Sequence, residues 1–142
     1  MCDFRFDVSL RVRHPSLEPD EICRQLGMAA EIQWRVGDQR VTPKGRPLSG
    51  VYDHSYCVFR LKPGKNIHLT EFLGAQNKEL LSRKSFLNDL VESGGFVEYF
   101  IGWYSGANTG EFFGWKLLKE LSDLHVDLAF DVYCECVSPG SE

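Results

Sequence analysis

The chain has 142 residues and a mass of 16.2 kDa, enough for one domain that buries its own core. Apolar residues make up 43%, aromatic residues 13% and charged residues 25%, a globular composition that excludes a disordered or low-complexity chain. The net charge of −4 with a pI near 5.6, and the absence of any Lys/Arg run, argue against a nucleic-acid-binding surface.

Phe4, Phe6, Val8, Leu10 and Val12 alternate with Arg5, Asp7, Ser9, Arg11 and Arg13, so the chain opens with a half-buried strand. His14-Pro15-Ser16 stops it. Pro19, Asp20 and Glu21 suit the first turn of a helix, Gly27 suits its end, and Ile22, Cys23 and Leu26 form its apolar side. Residues 32–36 predict a short strand that runs into Gly37-Asp38. The Pro- and Gly-rich residues 42–50 predict one long irregular loop. Residues 51–61 then predict a single strand, with Asp53, Ser55, Cys57 and Phe59 on one face and Tyr52, His54, Tyr56 and Val58 on the other.

Apolar residues at helical spacing from Ile67 to Val91 predict a helix pair broken near residues 82–85. Residues 95–103 carry large side chains on both faces and predict a central strand. A loop over residues 104–111, an amphipathic helix on Phe113, Leu117, Leu118, Leu121 and Leu124, and a last strand from Leu128 to Cys134 complete the pattern. The fold class is therefore α+β, in the ferredoxin-like βαββαβ order with an appended helix and strand. One mainly antiparallel sheet with helices on one face is expected, as a single domain over residues 1–137 with a disordered tail over 138–142.

No membrane partner is expected, because the most apolar stretch, residues 96–103, is interrupted by Glu98 and is far shorter than the roughly 20 residues of a spanning helix. Residues 1–7 are charged and alternating, unlike a signal peptide, so a cytoplasmic location is expected. The charge is unevenly placed. Residues 1–65 carry 11 Lys and Arg against 8 Asp and Glu, whereas residues 66–142 carry 5 against 12, giving +3 and −7. Arg5, Arg11 and Arg13 share one face of the first strand and Asp127, Asp131 and Glu135 one face of the last, an arrangement that stabilises neighbouring strands.

Cys2, Cys23, Cys57, Cys134 and Cys136 are an odd number without CxxC or zinc-like spacing, and Cys134 and Cys136 read as small hydrophobes buried on one face. His14, His54, His68 and His125 show no metal-ligand spacing, so neither metal nor cofactor is expected. Asp53-His54-Ser55 has the residue types of a triad, but consecutive strand residues point to opposite faces, which excludes one built from these three alone. His14 reads as a solvated or turn-bonding residue, with an acid–base role as the alternative.

Two segments carry binding chemistry. Trp34-Arg35-Val36-Gly37-Asp38 sets an aromatic ring, a guanidinium and a carboxylate around a turn, and Arg35 or Arg40 suits bidentate binding of an anion. The bland reading of these residues is an Arg35–Asp38 pair with Trp34 in the core. Trp103, Tyr104, Ser105 and Asn108 lead from a strand end toward a helix N-terminus, where backbone N–H groups hold anions; the alternative is a capping loop with Asn108 or Thr109 at the helix start.

Ser9-Leu10-Arg11-Val12-Arg13-His14-Pro15-Ser16-Leu17-Glu18-Pro19-Asp20-Glu21-Ile22, Trp34-Arg35-Val36-Gly37-Asp38, Thr42-Pro43-Lys44-Gly45, Gly50-Val51-Tyr52, Ser55-Tyr56, Gly102-Trp103-Tyr104-Ser105 with Asn108 and Gly110-Glu111, and Val126-Asp127-Leu128 fall in an order that resembles the domain-of-unknown-function 4279 family. The resemblance implies a bacterial, cytoplasmic, single-domain protein, and it brings no assigned activity and no catalytic residues. Small bacterial immunity proteins show a similar aromatic-Arg pattern after the first helix, which suggests toxin neutralisation by analogy.

The leading expectation is a non-enzymatic binding or protein-interaction domain, contacting an unknown protein partner or a small anionic ligand through Trp34, Arg35, Asp38, Tyr52, His54, Trp103, Tyr104, Ser105 and Asn108. The rival is a small hydrolase or transferase acting on an anionic small molecule, with His14 or His54 as base and Arg35 orienting the substrate. A third reading is a homodimer formed by an exposed edge strand.

Overall fold

The computed structural model describes residues 4–135; Cys2, Cys136 and the expected tail lie outside the described residues. The elements are β1 (Arg5–His14), α1 (Pro19–Leu26), β2 (Ile32–Trp34), β3 (Gln39–Val41), β4 (Pro47–Val51), β5 (Ser55–Leu61), α2 (Leu69–Leu81), α3 (Lys84–Glu92), β6 (Phe96–Ser105), α4 (Trp115–Leu124) and β7 (Val126–Cys134). Five strands form one sheet in the order β2-β5-β1-β6-β7, and β3 and β4 form a separate two-stranded ribbon.

The alternation of β1 is what sets the core. Val8, Leu10 and Val12 lie opposite Leu61, Phe59 and Cys57 of β5 and opposite Ile101, Tyr99 and Val97 of β6. These rows pack against Ile22 and Leu26 of α1, Leu69, Phe72, Leu73 and Leu80 of α2, Leu87 and Leu90 of α3, and Leu121 and Leu124 of α4. Each buried aliphatic or aromatic side chain contributes about 1.5–3 kcal/mol of transfer free energy. Within this core the Tyr99 hydroxyl donates to Asn77 Oδ1 at 2.8 Å, and Asn77 Nδ2 donates to Glu120 at 3.0 Å, so a satisfied polar chain links α2 and α4 to the central strand.

The sheet is mixed and mainly antiparallel. β1 runs antiparallel to β5 and β6, and β2 antiparallel to β5, but β7 is parallel to β6. The physical reason is α4: a helix crossing over between two neighbouring strands returns the chain in the same direction. Because β6 separates β1 from β7, the expected facing rows of Arg and Asp are not neighbours; among the described residues only Arg5 spans the gap, to Glu135.

Residues 39–51 form a ribbon, which takes in residues 42–50, where an irregular loop was expected. Its turn lies between Val41 and Pro47, with Thr42 N donating to Arg46 O and Gly45 N to Thr42 O. Pro43 and Gly45 serve that turn, and Pro47 is the first residue of β4, where a missing N–H is tolerated. The ribbon lacks a sequence signature because both its faces are exposed, which removes the alternation that marks a strand. The expected strand over residues 51–61 is likewise two strands: β4 ends at Val51 and β5 starts at Ser55.

Among the cysteines, Cys57 is buried, Cys23 half-buried and Cys134 exposed, the last against the expectation of a buried hydrophobe. Burial pushes the Cys57 thiol up to about 12. No helix of the described residues is long and apolar enough to cross a membrane.

Candidate functional site

All four helices pack on one face of the sheet; the other face is open. By strand register it presents Trp34 and Ile32 of β2, Tyr56, Val58 and Arg60 of β5, Asp7, Ser9, Arg11 and Arg13 of β1, Glu98, Phe100 and Tyr104 of β6, and Asp127, Asp131 and Tyr133 of β7. The β3–β4 ribbon walls this face along β2, and together they enclose a groove of about 1090 Å³.

The wall is positioned by a few bonds. Gly37 N donates to Tyr52 O at 2.8 Å and Tyr52 N donates to Asp38 O at 2.9 Å, which clamps the two ends of the ribbon. Gly37 has φ +88°, a backbone state that glycine takes without a Cβ penalty. Tyr52, fixed by this clamp, stacks on Trp34 with ring centres 4.4 Å apart and planes 8° from parallel, and its hydroxyl accepts from Val41 N at 3.2 Å. Tyr56 lies against the same indole at 4.5 Å. Ser55 Oγ accepts from Val36 N at 3.1 Å, holding the chain after β2 against the start of β5.

Arginines from β1 share the floor with aromatic rings. The Arg11 guanidinium sits 3.6 Å over the Phe100 ring, and that of Arg13 lies between Tyr56 at 4.8 Å and Phe96 at 5.0 Å. Neither is ion-paired to a carboxylate among the described residues, although Glu98 is opposite Arg11 in the register. The Nε atoms of both arginines and Nε1 of Trp34 are buried without a hydrogen-bond partner. In contrast, Arg60 is paired with Glu31 at 3.0 Å.

Of the residues singled out by sequence, Trp34, Asp38, Tyr52 and Tyr104 line the groove. Trp34 is half-buried on the open face rather than in the core. Arg35 is paired with Glu18 at 2.7 Å and not with Asp38, whose main chain bonds Arg35 O and Tyr52 N. Arg40 Nη1 donates to Ser49 O within the ribbon. Tyr104 stacks on Tyr133 at 4.8 Å, at the far side of the groove.

Trp103 is on the helix side, stacked on Phe4 at 3.7 Å and donating to Thr109 Oγ1 at 3.0 Å. Ser105 Oγ bonds the backbone of Ala107, and Asn108 is exposed. Neither Asn108 nor Thr109 caps a helix: α4 starts later, with Gly114 at its N-cap and no side-chain cap. None of Trp103, Tyr104, Ser105 and Asn108 therefore lies in the first turn of α4.

His54 and Asp53 are not split across two strand faces, since they lie in the break between β4 and β5. His54 Nδ1 and Asp53 Oδ1 are 2.5 Å apart, and this bond lowers the Asp53 pKa. The His54 ring stands 6.0 Å from Trp34, behind the groove. His14 is buried, with Nδ1 accepting from Ser16 N and Leu17 N and Nε2 bonded to Ser93 Oγ. It pins a turn. Among the described residues, no group of three or more His, Cys, Asp or Glu is placed to hold a metal ion.

Sequence reasoning missed Arg11, Phe100 and Tyr133 as members of one surface. Their signal was present, because each sits on the non-core phase of its strand, but strand order is needed to bring three such phases together.

A family model described as Domain of unknown function (DUF4279) matches residues 4–135. No curated protein and no solved structure matches the chain.

Proposed function

The chain belongs to the DUF4279 family, whose description assigns no activity, and from that premise we propose that it is a non-enzymatic, cytoplasmic binding domain that receives a carboxylate-bearing partner on the open sheet face. The observation that carries this reading is the Arg11 guanidinium, 3.6 Å over Phe100 and without an ion-paired carboxylate among the described residues, in a groove also lined by the Trp34–Tyr52 stack. Ring stacking orders the guanidinium before a ligand arrives, so less side-chain entropy is lost on binding. Flat rings beside it take up apolar groups next to the anion. The breadth and openness of the surface favour a segment of a protein, such as an acidic loop of a toxin, over a small molecule.

The strand order β2-β5-β1-β6 supports a ferredoxin-like core within the sheet: β1 and β2 are joined by α1 with β5 between them, which is a split βαβ unit. In this reading α4 and β7 are the appended pair.

Titration calorimetry with an acidic, Phe-containing peptide and, separately, with glutarate tests the proposal. The peptide is expected to bind and Arg11→Ala to weaken it by about tenfold, equivalent to about 1.4 kcal/mol, while Arg24→Ala on α1 leaves it unchanged. Equal affinity for wild type and Arg11→Ala overturns the assignment, and binding of glutarate alone moves it to a small-molecule site.

One observation favours an enzymatic second reading. The Asp53–His54 bond orients an imidazole whose Nε2 is buried without a hydrogen-bond partner among the described residues, and a carboxylate–imidazole pair of this kind is what an oriented general base uses. A turnover found for this protein and abolished by His54→Ala supports it; a turnover unchanged by that substitution removes it.

A further inference from the structure

A second surface lies at the edge of the sheet, beyond Tyr133, the one β7 residue among the described residues that lines the groove. β7 ends the sheet on the side away from β2 and bonds through one side only, to β6. Along Val126–Tyr133 its outward row of N–H and C=O groups has no strand partner among the described residues. Long edges of this kind are commonly blunted by Lys, Pro or a bulge. β7 is nine residues long, VDLAFDVYC, and contains neither residue, and its register with β6 runs without a shift.

The side chains give this edge two distinct faces. Leu128, Phe130 and Val132 point to the helix side, where Val132 is 68% exposed, and the adjoining entry to α4 leaves Phe112 82% and Trp115 70% exposed. The Phe113 ring lies 5.7 Å from Phe130, tying that segment to the edge. Asp127 and Asp131 project on the opposite face, in phase with Glu98 of β6. A strand added here thus meets an apolar surface on one side and carboxylates on the other.

We propose that the β7 edge accepts a strand from a second protein in which apolar residues alternate with Lys or Arg. Main-chain bonds would supply affinity, and the alternating side chains would supply specificity. A second copy of this chain fits less well. Antiparallel pairing centred on Asp131 sets Asp131 against its own copy and Asp127 against Glu135, and pairing centred on Ala129 sets Asp127 against Asp131. Pairing centred on Phe130 avoids direct acid pairs but sets Asp127 opposite Tyr133 and Asp131 opposite Ala129, with no cation facing either, between chains that each carry −4.

The test uses the full chain and two labelled nine-residue peptides, one alternating Lys with Val and the other Glu with Val, followed by fluorescence anisotropy. The Lys peptide is expected to bind, more weakly at higher salt, and the Glu peptide to show at least about tenfold lower affinity. Asp127→Lys and Asp131→Lys should each weaken the Lys peptide by about tenfold, whereas Trp34→Ala in the groove should not. Equal binding of both peptides, no binding, or loss with Trp34→Ala in place of the Asp variants overturns the proposal. So does sedimentation of the protein alone as a dimer that Phe130→Lys dissociates, since self-pairing would then occupy the edge.

Discussion

His14 is held in its neutral form by its neighbours. Nδ1 accepts two backbone N–H groups, so the ring proton is on Nε2, which donates to Ser93 Oγ; that hydroxyl in turn donates to Asp89 O at 2.7 Å. Burial lowers its pKa below the ordinary histidine value of 6.5. The unfolded chain therefore takes up a proton at His14 before the folded one does, and stability is full above about pH 6.5 and declines as pH falls toward the lowered folded value. Urea midpoints at pH 7.5 and 5.5 should show this decline in the wild type and a smaller one in His14→Gln; equal declines would contradict it. The sequence placed His14 at a turn, because Pro15 follows it. That Ser93 would complete its bonding was not legible, since the partner is far along the chain.

At the scale of elements, local signals revealed what packs and concealed what does not. The alternation in β1 and the helical spacing from Ile67 to Val91 were readable because each element buries one face, and Gly27 ends α1 in the left-handed state expected of it, φ 67°. The β3–β4 ribbon buries no face, so nothing in its composition separated it from a loop. Its position depends on Gly37, where an added Cβ meets open space but the positive φ strains any other residue. Gly37→Ala is expected to cost about 1–2 kcal/mol of local stability and to loosen the clamp on Tyr52. Near-UV circular dichroism should then lose the signal of the Trp34–Tyr52 stack while far-UV helix content is retained; an unchanged near-UV spectrum would show that the clamp does not set the stack.

Across the whole molecule, the uneven charge of the two halves becomes spatial through strand order. Arg11, Arg13 and Arg60 come from β1 and β5, and Glu98, Asp127 and Asp131 from β6 and β7, so the open face is basic toward the ribbon and acidic toward the β7 edge. Composition along the chain showed the imbalance, and alternation showed which residues share a phase. The path of the chain through the sheet, which decides which phases meet, was not written in any local pattern. For the same reason Trp34 and Trp103, alike in sequence context, end on opposite faces of one sheet.

The most direct measurement is an amide chemical-shift titration of the full chain with the acidic, Phe-containing peptide. The account predicts that the shifts concentrate at Arg11, Trp34, Tyr52, Tyr56 and Phe100 and are lost in Arg11→Ala. Shifts confined to α1–α4, or spread evenly over the surface and unchanged by Arg11→Ala, would contradict a binding site on the open face.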